Sequence, residues 1–359
     1  MELIKPNINI NFVKFRNKAL LISGLVILIG VIGFLWRGGL NLGVDFAGGT
    51  LIQVKFNKPT NPDEIRDALK GTIEQSTVQQ IGSTADNEYL IRTETIQEEL
   101  ASISNKIEDE LAKKYGPGQS VRRVEMVGPK VGKDLRQKAL FAVYYSLLLI
   151  AIYISGRFEF KWVSSLIMGG VLTVGVYLLE AVGLNPAYVA VGALIVTLGL
   201  CWVLRLPYAF GALLSLVHDI AIVVGIFALL NKEFTLEILA ALLTLAGYSL
   251  NDTIVIYDRI RENRGKDRKL PFEQLINNSI NQTLSRSILT VATVFFVVLC
   301  LFLLGGTVIH DFSFALLIGL IAGSYSTIYI ASPILIFYED MTGRKSRKPA
   351  KRAAAASRS

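Results

Sequence analysis

Eight stretches of the chain stay apolar long enough to cross ~30 Å of hydrocarbon, which takes about 17 to 25 helical residues. They fall at 19–36, 139–155, 162–179, 187–204, 208–230, 238–257, 287–304 and 312–337. Between the first and the second the period of the pattern changes. "TLIQVKF" (50–56) alternates apolar and polar as a half-buried strand does. "NPDEIRDALK" (61–70) then opens a helix, with Asn61 as N-cap, Pro62 at the first helical position and Glu64 at the capping-box position. "TVQQIG" and "EYLIRTE" read as two strands around a polar turn at 83–87. Thr95 and Glu98 form a second capping pair, and that helix runs to about Tyr115 and stops at Gly116-Pro117-Gly118. "SVRRVEMVG" supplies a last strand. Strand, helix, strand, strand, helix, strand is the order of ferredoxin-like domains.

The predicted fold is a membrane α-helical bundle of about eight transmembrane helices with one α+β ferredoxin-like domain. Its parts are an N-terminal segment 1–18, the first helix 19–36, the α+β domain 37–138, a bundle of about seven helices 139–338, and a tail 339–359. The tail is basic, low in complexity and read as disordered. Composition agrees: hydrophobic residues make up 52%, charged residues 18%, and mean hydropathy is +0.47. The first apolar stretch lacks a small-x-small cleavage site and is followed by Trp36-Arg37-Gly38-Gly39, so it reads as a retained anchor.

Positive residues in short connections mark the cytoplasmic side. With the N-terminus inside, 1–18, 157–161, Arg205, 258–286 and 340–359 carry 21 Lys and Arg, against one, Lys232, in the short outside loops. Both termini are therefore expected in the cytoplasm and the α+β domain outside. The net charge of +8 lies mostly beside membrane ends, which suits anionic lipid headgroups rather than nucleic acid. Two Cys, both inside apolar stretches, and two His support neither a disulfide framework nor a metal cluster. No cofactor is implied.

Two acids lie well inside apolar stretches, Asp219 beside His218 and Asp252 beside Asn251. A charge at mid-membrane costs at least ~2.5–3.5 kcal/mol on insertion scales, so such residues face protein or water and mark ion pathways. The plain alternative is that each only hydrogen-bonds a neighbouring helix. Tyr248, Asp252 and Arg259 share one helical face. Arg259 is about 10 Å of helix rise from Asp252, too far for a simple pair, and is expected to meet an acid on another helix. Asp45, Gly48 and Gly49 in "GVDFAGGT" fit no phosphate-binding pattern. A strand follows them, so a tight turn or bulge is expected. Gly319 and Gly323 are spaced for close helix approach.

"GYSLNDTIVIYDRIREN", "NQTLSRSILT", "GVDFAGGT", "VGPKVGKDL", "ISGRFEFKW" and "LVHDIAIVVGIFALLNKEF" occur in one order along nearly the whole chain. Together they resemble the SecF family of protein translocase subunits, in the resistance-nodulation-division superfamily. The resemblance implies a subunit that, with SecD, uses the proton motive force to assist preproteins through SecYEG and SecA across the bacterial inner membrane, its α+β domain periplasmic. From their own chemistry Asp219, Asn251, Asp252 and Arg259 are expected to form a polar track for proton movement, with Arg259 as a fixed counter-charge and Asn251 bonding either state of a carboxyl group, and no enzyme activity is expected. The family plan has six spans, whereas here 162–204 adds a helical pair. Other readings are weaker. An intramembrane aspartyl protease wants Gly-x-Gly-Asp, not Tyr-Ser-Leu-Asn-Asp. A small-molecule or lipid exporter of the superfamily usually carries two six-span halves and two outer domains. A passive scaffold leaves the membrane acids unexplained.

Overall fold

A computed structural model describes residues 9–69, 76–81, 87–93, 100–116, 120–267 and 269–341. The expected turn residues 83–86, the capping pair Thr95 and Glu98, Pro117-Gly118 and the basic tail lie outside these residues. After a 3-10 turn, Val13–Phe15, the first span is α1 (Arg16–Trp36). The chain then enters the small domain through a helical turn, α2 (Val44–Ala47), and runs through β1 (Gly49–Lys55), α3 (Pro62–Leu69), β2 (Ser76–Ile81), β3 (Glu88–Thr93), α4 (Leu100–Tyr115) and β4 (Ser120–Val127). Each expected strand and helix is present, and the Asn61 carboxamide caps α3 by accepting from the Asp63 N–H at 3.1 Å.

The sheet order is β2-β3-β1-β4 with every pair antiparallel, the ferredoxin-like arrangement. One face carries Ile52, Val54, Val78, Tyr89 and Ile91 against Ile65, Leu69, Ile107 and Leu111 of the two helices, all buried. The opposite face presents Leu51, Gln53, Gln79, Leu90, Arg123 and Glu125 to the ends of the membrane helices across an open cleft. Alternation along the strands thus separates a dry core from a polar face.

Beyond the sheet come α5 (Pro129–Glu159), α6 (Trp162–Ala181), α7 (Pro186–Val203), α8 (Pro207–Leu229), α9 (Leu236–Lys266) and α10 (Phe272–Leu304). The last span joins α11 (Gly306–Ser326), a π segment (Thr327–Ala331) and α12 (Ser332–Met341). Among the described residues eight helices are long and apolar enough to cross a membrane. Several overrun their apolar stretches. α5 starts at Pro129 rather than 139, and the connection expected at 258–286 is mostly helix, with α9 reaching Lys266 and α10 beginning at Phe272. Hydropathy marks only the part that meets lipid. The helical ends continue because ion pairs hold them, Arg16 to Glu273 at 2.5 Å, Arg157 to Asp258 at 2.6 Å and Arg264 to Glu339 at 3.3 Å.

The additional pair, α6 and α7, docks on α5 and α8. Met168, Leu172, Val189, Ala190 and Cys201 share one buried cluster with Tyr144, Leu148, Ala151 and Leu213. The Ser155 and Ser165 hydroxyls meet at 2.5 Å, and Gln137 near the start of α5 bonds Glu180 near the end of α6. That contact puts the α6–α7 turn on the sheet domain's side. Gly183 takes φ 85° there, and Asn185 caps α7 through the Ala187 N–H at 3.0 Å. A cysteine at Asn185 is therefore expected to react with an impermeant reagent from the sheet domain's side, and one at Lys14 from the other. Reaction of both from one side would break the eight-span arrangement.

Candidate functional site

α8 brings the first acid to the centre of the bundle. α1 and α8 touch at Gly30 and Gly225, where a Cβ on either would sit within 2.9 Å of the other's Cα. Only glycine permits that approach, and it carries Ser23 of α1 up to α8. Asp219 is 1% exposed, and three side chains bond its carboxylate. The Ser249 and Ser326 hydroxyls donate to Oδ2 at 2.8 and 2.9 Å, and His218 Nδ1 lies 3.0 Å from Oδ1. The other ring nitrogen is 3.1 Å from the Ser23 hydroxyl. With Asp219 ionised, Nδ1 carries the imidazole proton and Nε2 accepts from Ser23. Tyr325 stacks on the imidazole at 6.2 Å and donates to the Ala19 carbonyl at 2.6 Å. One carboxylate thus ties α1, α8, α9 and α11 together.

Asp252, one α9 turn beyond Ser249, is 7% exposed. Opposite it on α10 stand Ser287 and the cation Arg286. The Ser287 hydroxyl is buried and makes no hydrogen bond of normal length. A void of about 10 Å³ bordered by Ser249, Asp252, Gly319 and Gly323 adjoins Asp252, close to the room one water needs. Gly319 and Gly323 pack as their spacing predicts, the first against Leu245 and the second against the Ser249 side chain.

The structure corrects two of the expected participants. Arg259 pairs with Glu262 on its own helix at 3.0 Å and is half exposed, because seven residues of helix carry it to the membrane end. Asn251 is exposed on the outward side of α9. Arg286 of α10, itself exposed, is the cation whose charge reaches Asp252; it lies inside "NQTLSRSILT" but counts, by sequence, as one more positive residue at a membrane end.

The seam holding both acids is polar on one side only. Toward the sheet domain it is closed by Val223, Phe227, Ile238, Leu242, Leu245 and Ala315, all buried. Away from the domain hydroxyls continue it: Thr253 Oγ1 and Thr327 Oγ1 are 3.2 Å apart, and Tyr257 donates to the Ala331 carbonyl at 3.1 Å. Ser249, Thr253 and Tyr257 recur every four residues on α9 and line one face. Opposite them the π segment departs from the regular helical ladder, as such turns do at functional sites, and Ser332 donates to the Thr327 carbonyl at 2.9 Å.

Asp45, Gly48 and Gly49 form the joint between the two parts of the molecule. Gly48 and Gly49 take φ of 78° and 113°, so the helical turn α2 passes directly into β1, which fits the expected tight turn. Gly132, in the first turn of α5, packs so closely that its added Cβ would lie 2.9 Å from Gly48 N. The Asp45 carboxylate accepts from the Leu236 N–H at 2.9 Å and caps α9, whose own N-cap side chain makes no such bond. Arg92 of β3 reaches across to Glu233 at 2.6 Å and to the Leu42 carbonyl at 2.9 Å. The strand domain is thus bonded to the leading end of the helix that carries Asp252.

Comparison with known proteins agrees with this arrangement. The model of the C-terminal part of the protein export membrane proteins SecD/SecF matches residues 106–201 and 185–341, two pieces that overlap over 185–201, along most of α7. The SecD/SecF GG motif matches 33–60. Protein translocase subunit SecF of Desulfurispirillum indicum is 38% identical over 92% of this chain and 91% of its own. SecF of Calditerrivibrio nitroreducens is 37% identical over 96% and 99%. The crystal structure of SecDF from Thermus thermophilus superposes with a TM-score of 0.74 at 28% identity, covering 94% of this chain and 40% of that one. The chain therefore spans well under half of the solved two-part protein.

Proposed function

The chain belongs to the SecF family of protein translocase subunits, and on that premise we propose that it couples proton movement to preprotein export. Its partner is a SecD subunit, which supplies the larger remainder of the solved SecDF chain. SecYEG, SecA and the translocating preprotein are the machinery it serves, in a bacterial inner membrane. The charge distribution supports termini in the cytoplasm and a periplasmic sheet domain. A small-molecule exporter is disfavoured by the single sheet domain and by the relatives' naming as translocase subunits.

The observation that carries the proton reading is Asp219, a buried carboxylate bonded by groups from α8, α9 and α11 and tied to α1 through His218. Protonation of an acid so placed changes what each of those groups must donate or accept, and so biases the packing of the helices that carry them. Each charge moved through the membrane potential yields ~2.3 kcal/mol per 100 mV, enough over repeated steps to shift a two-state packing. The apolar closure toward the sheet domain and the hydroxyls on the other side describe one of the two states, open inward and shut outward. Asp45 and Arg92 then transmit a shift of α9 to the sheet domain.

Arg286 is assigned as the fixed positive charge beside Asp252, since a guanidinium keeps its proton at every working pH. In vesicles carrying the complex with SecD, Arg286→Ala and Asp252→Asn are expected to lower the proton-gradient-dependent part of export at least about tenfold. Arg259→Ala, which breaks an exposed pair usually worth under ~1 kcal/mol, is expected to keep it. The opposite ranking of the two arginines would overturn the assignment.

A further inference from the structure

We infer that Glu159, at the end of α5, is the group through which protons leave the seam on the face away from the sheet domain, into a vestibule beside the α7–α8 connection. The inference rests on the proton reading above. Continuing from Thr253, the next hydroxyl on the same face of α9 is that of Tyr257, which is fully buried. Its ring meets the Tyr208 ring at 5.1 Å, and the Tyr208 N–H donates to Glu159 Oε1 at 2.9 Å. The second carboxylate oxygen of Glu159 is buried and has no hydrogen-bond partner. An orphaned carboxylate oxygen is costly unless something is to be bound there.

Glu159 borders a cavity of about 460 Å³, together with Lys161, Arg205, Tyr208, Arg264 and Glu339. That is room for many waters. Three cations and a second acid surround the opening. Lys161 donates to the Leu204 and Arg205 carbonyls at 2.6 and 3.2 Å, fastening the end of α7 over Glu159. Trp202 closes the side against Phe210 at 5.2 Å and Tyr338 at 4.9 Å. Arg205, in the α7–α8 connection, thus brings the end of the additional pair to the rim of the cavity.

The chemistry is proton relay alone. Each hydroxyl accepts a proton on one side and gives up its own on the other, so only O–H bonds form and break. Glu159 receives the last proton at its free oxygen and passes it to water in the vestibule. Tyr257, committed to the Ala331 carbonyl, must turn toward Tyr208 and Glu159 for the relay to run.

The test uses the complex with SecD in proteoliposomes holding a pH-sensitive dye. Initial proton flux is measured while pH on the Glu159 side is varied between about 6 and 8, the total driving force being held constant by the imposed potential. The unaltered chain is expected to slow as that side is acidified, because release from Glu159 is then opposed. Glu159→Gln is expected to lose at least about tenfold in flux and to show no such dependence. Glu159→Asp, which keeps the titrating group but shortens its reach, is expected to keep the dependence at a lower rate. Glu159→Gln with unchanged flux, or an unaltered chain whose flux ignores pH on that side, overturns the inference. Asp219→Asn separates the two levels: if flux survives that change, the proton reading itself fails, and if it is lost while Glu159→Gln flux is normal, only the exit assignment fails.

Discussion

Gly48→Val is expected to leave the protein unassembled, with membrane levels reduced at least about tenfold and no cooperative thermal transition. Two separate costs meet at this position. Gly48 sits at φ 78°, a conformation that costs an L-residue about 1–2 kcal/mol and a β-branched one more. Its added Cβ would lie 2.9 Å from the Pro129 Cα, a backbone atom at the start of α5 that cannot turn aside. Overpacking of this kind costs typically 1–3 kcal/mol. Together the terms reach a large part of the ~5–15 kcal/mol that holds a domain folded. Gly38→Ala provides the comparison, because Gly38 has φ 75° and nothing within 4 Å of its added Cβ. That change is expected to cost only the backbone part. Equal losses of thermal stability in Gly38→Ala and Gly48→Ala would show that the close approach to α5 contributes nothing.

The reason this joint is sensitive was half visible in the sequence. Paired glycines after a helix end and before an alternating strand predict a turn, and a turn is what forms. That Asp45 caps a helix beginning 191 positions later leaves no local trace, since long-range hydrogen bonds carry no period. The sheet domain was legible almost in full because its strands alternate and its first helix announces its cap in Asn61 and Pro62. The eight spans were legible because lipid demands uninterrupted apolar runs, but their ends were not. Arg264 and Arg157 look like loop charges until Glu339 and Asp258 are seen opposite them.

The same distinction governs the site. Asp219 and Asp252 stand out in sequence because an acid in an apolar run is expensive wherever it lies. Their partners do not stand out. Ser249, Ser326, Thr253 and Thr327 are small hydroxyl residues that a membrane helix tolerates at little cost, and only their convergence makes them a seam. The four-residue recurrence of Ser249, Thr253 and Tyr257 was the available signal. Arg259 attracted attention through its shared face with Asp252, a correct reading of helix period. Helix rise defeated it, because it lifts Arg259 out to the membrane end while α10 delivers Arg286 to the acid from the side.

Asp219→Asn is expected to keep the fold and the association with SecD while removing at least about tenfold of the proton-gradient-dependent export. The carboxamide matches the carboxylate in shape. Its oxygen can accept from Ser249 and Ser326 as Oδ2 does at 2.8 and 2.9 Å, and its amide can donate to His218 Nδ1. His218 then adopts the other neutral tautomer and donates from Nε2 to the Ser23 hydroxyl 3.1 Å away. The second amide N–H and the displaced Ser23 O–H lose their partners, so stability is expected to fall by about 1–3 kcal/mol. What is lost is the site that binds and releases a proton. Asp219→Leu has a different signature, because it strands His218, Ser249 and Ser326 in a 1%-exposed pocket at about 1–3 kcal/mol for each unmet group. Thermal unfolding in detergent should drop further for Asp219→Leu than for Asp219→Asn, while export responds to both. If Asp219→Asn exported with full dependence on the proton gradient and only Asp219→Leu failed, the carboxylate would be a knot between four helices and nothing more.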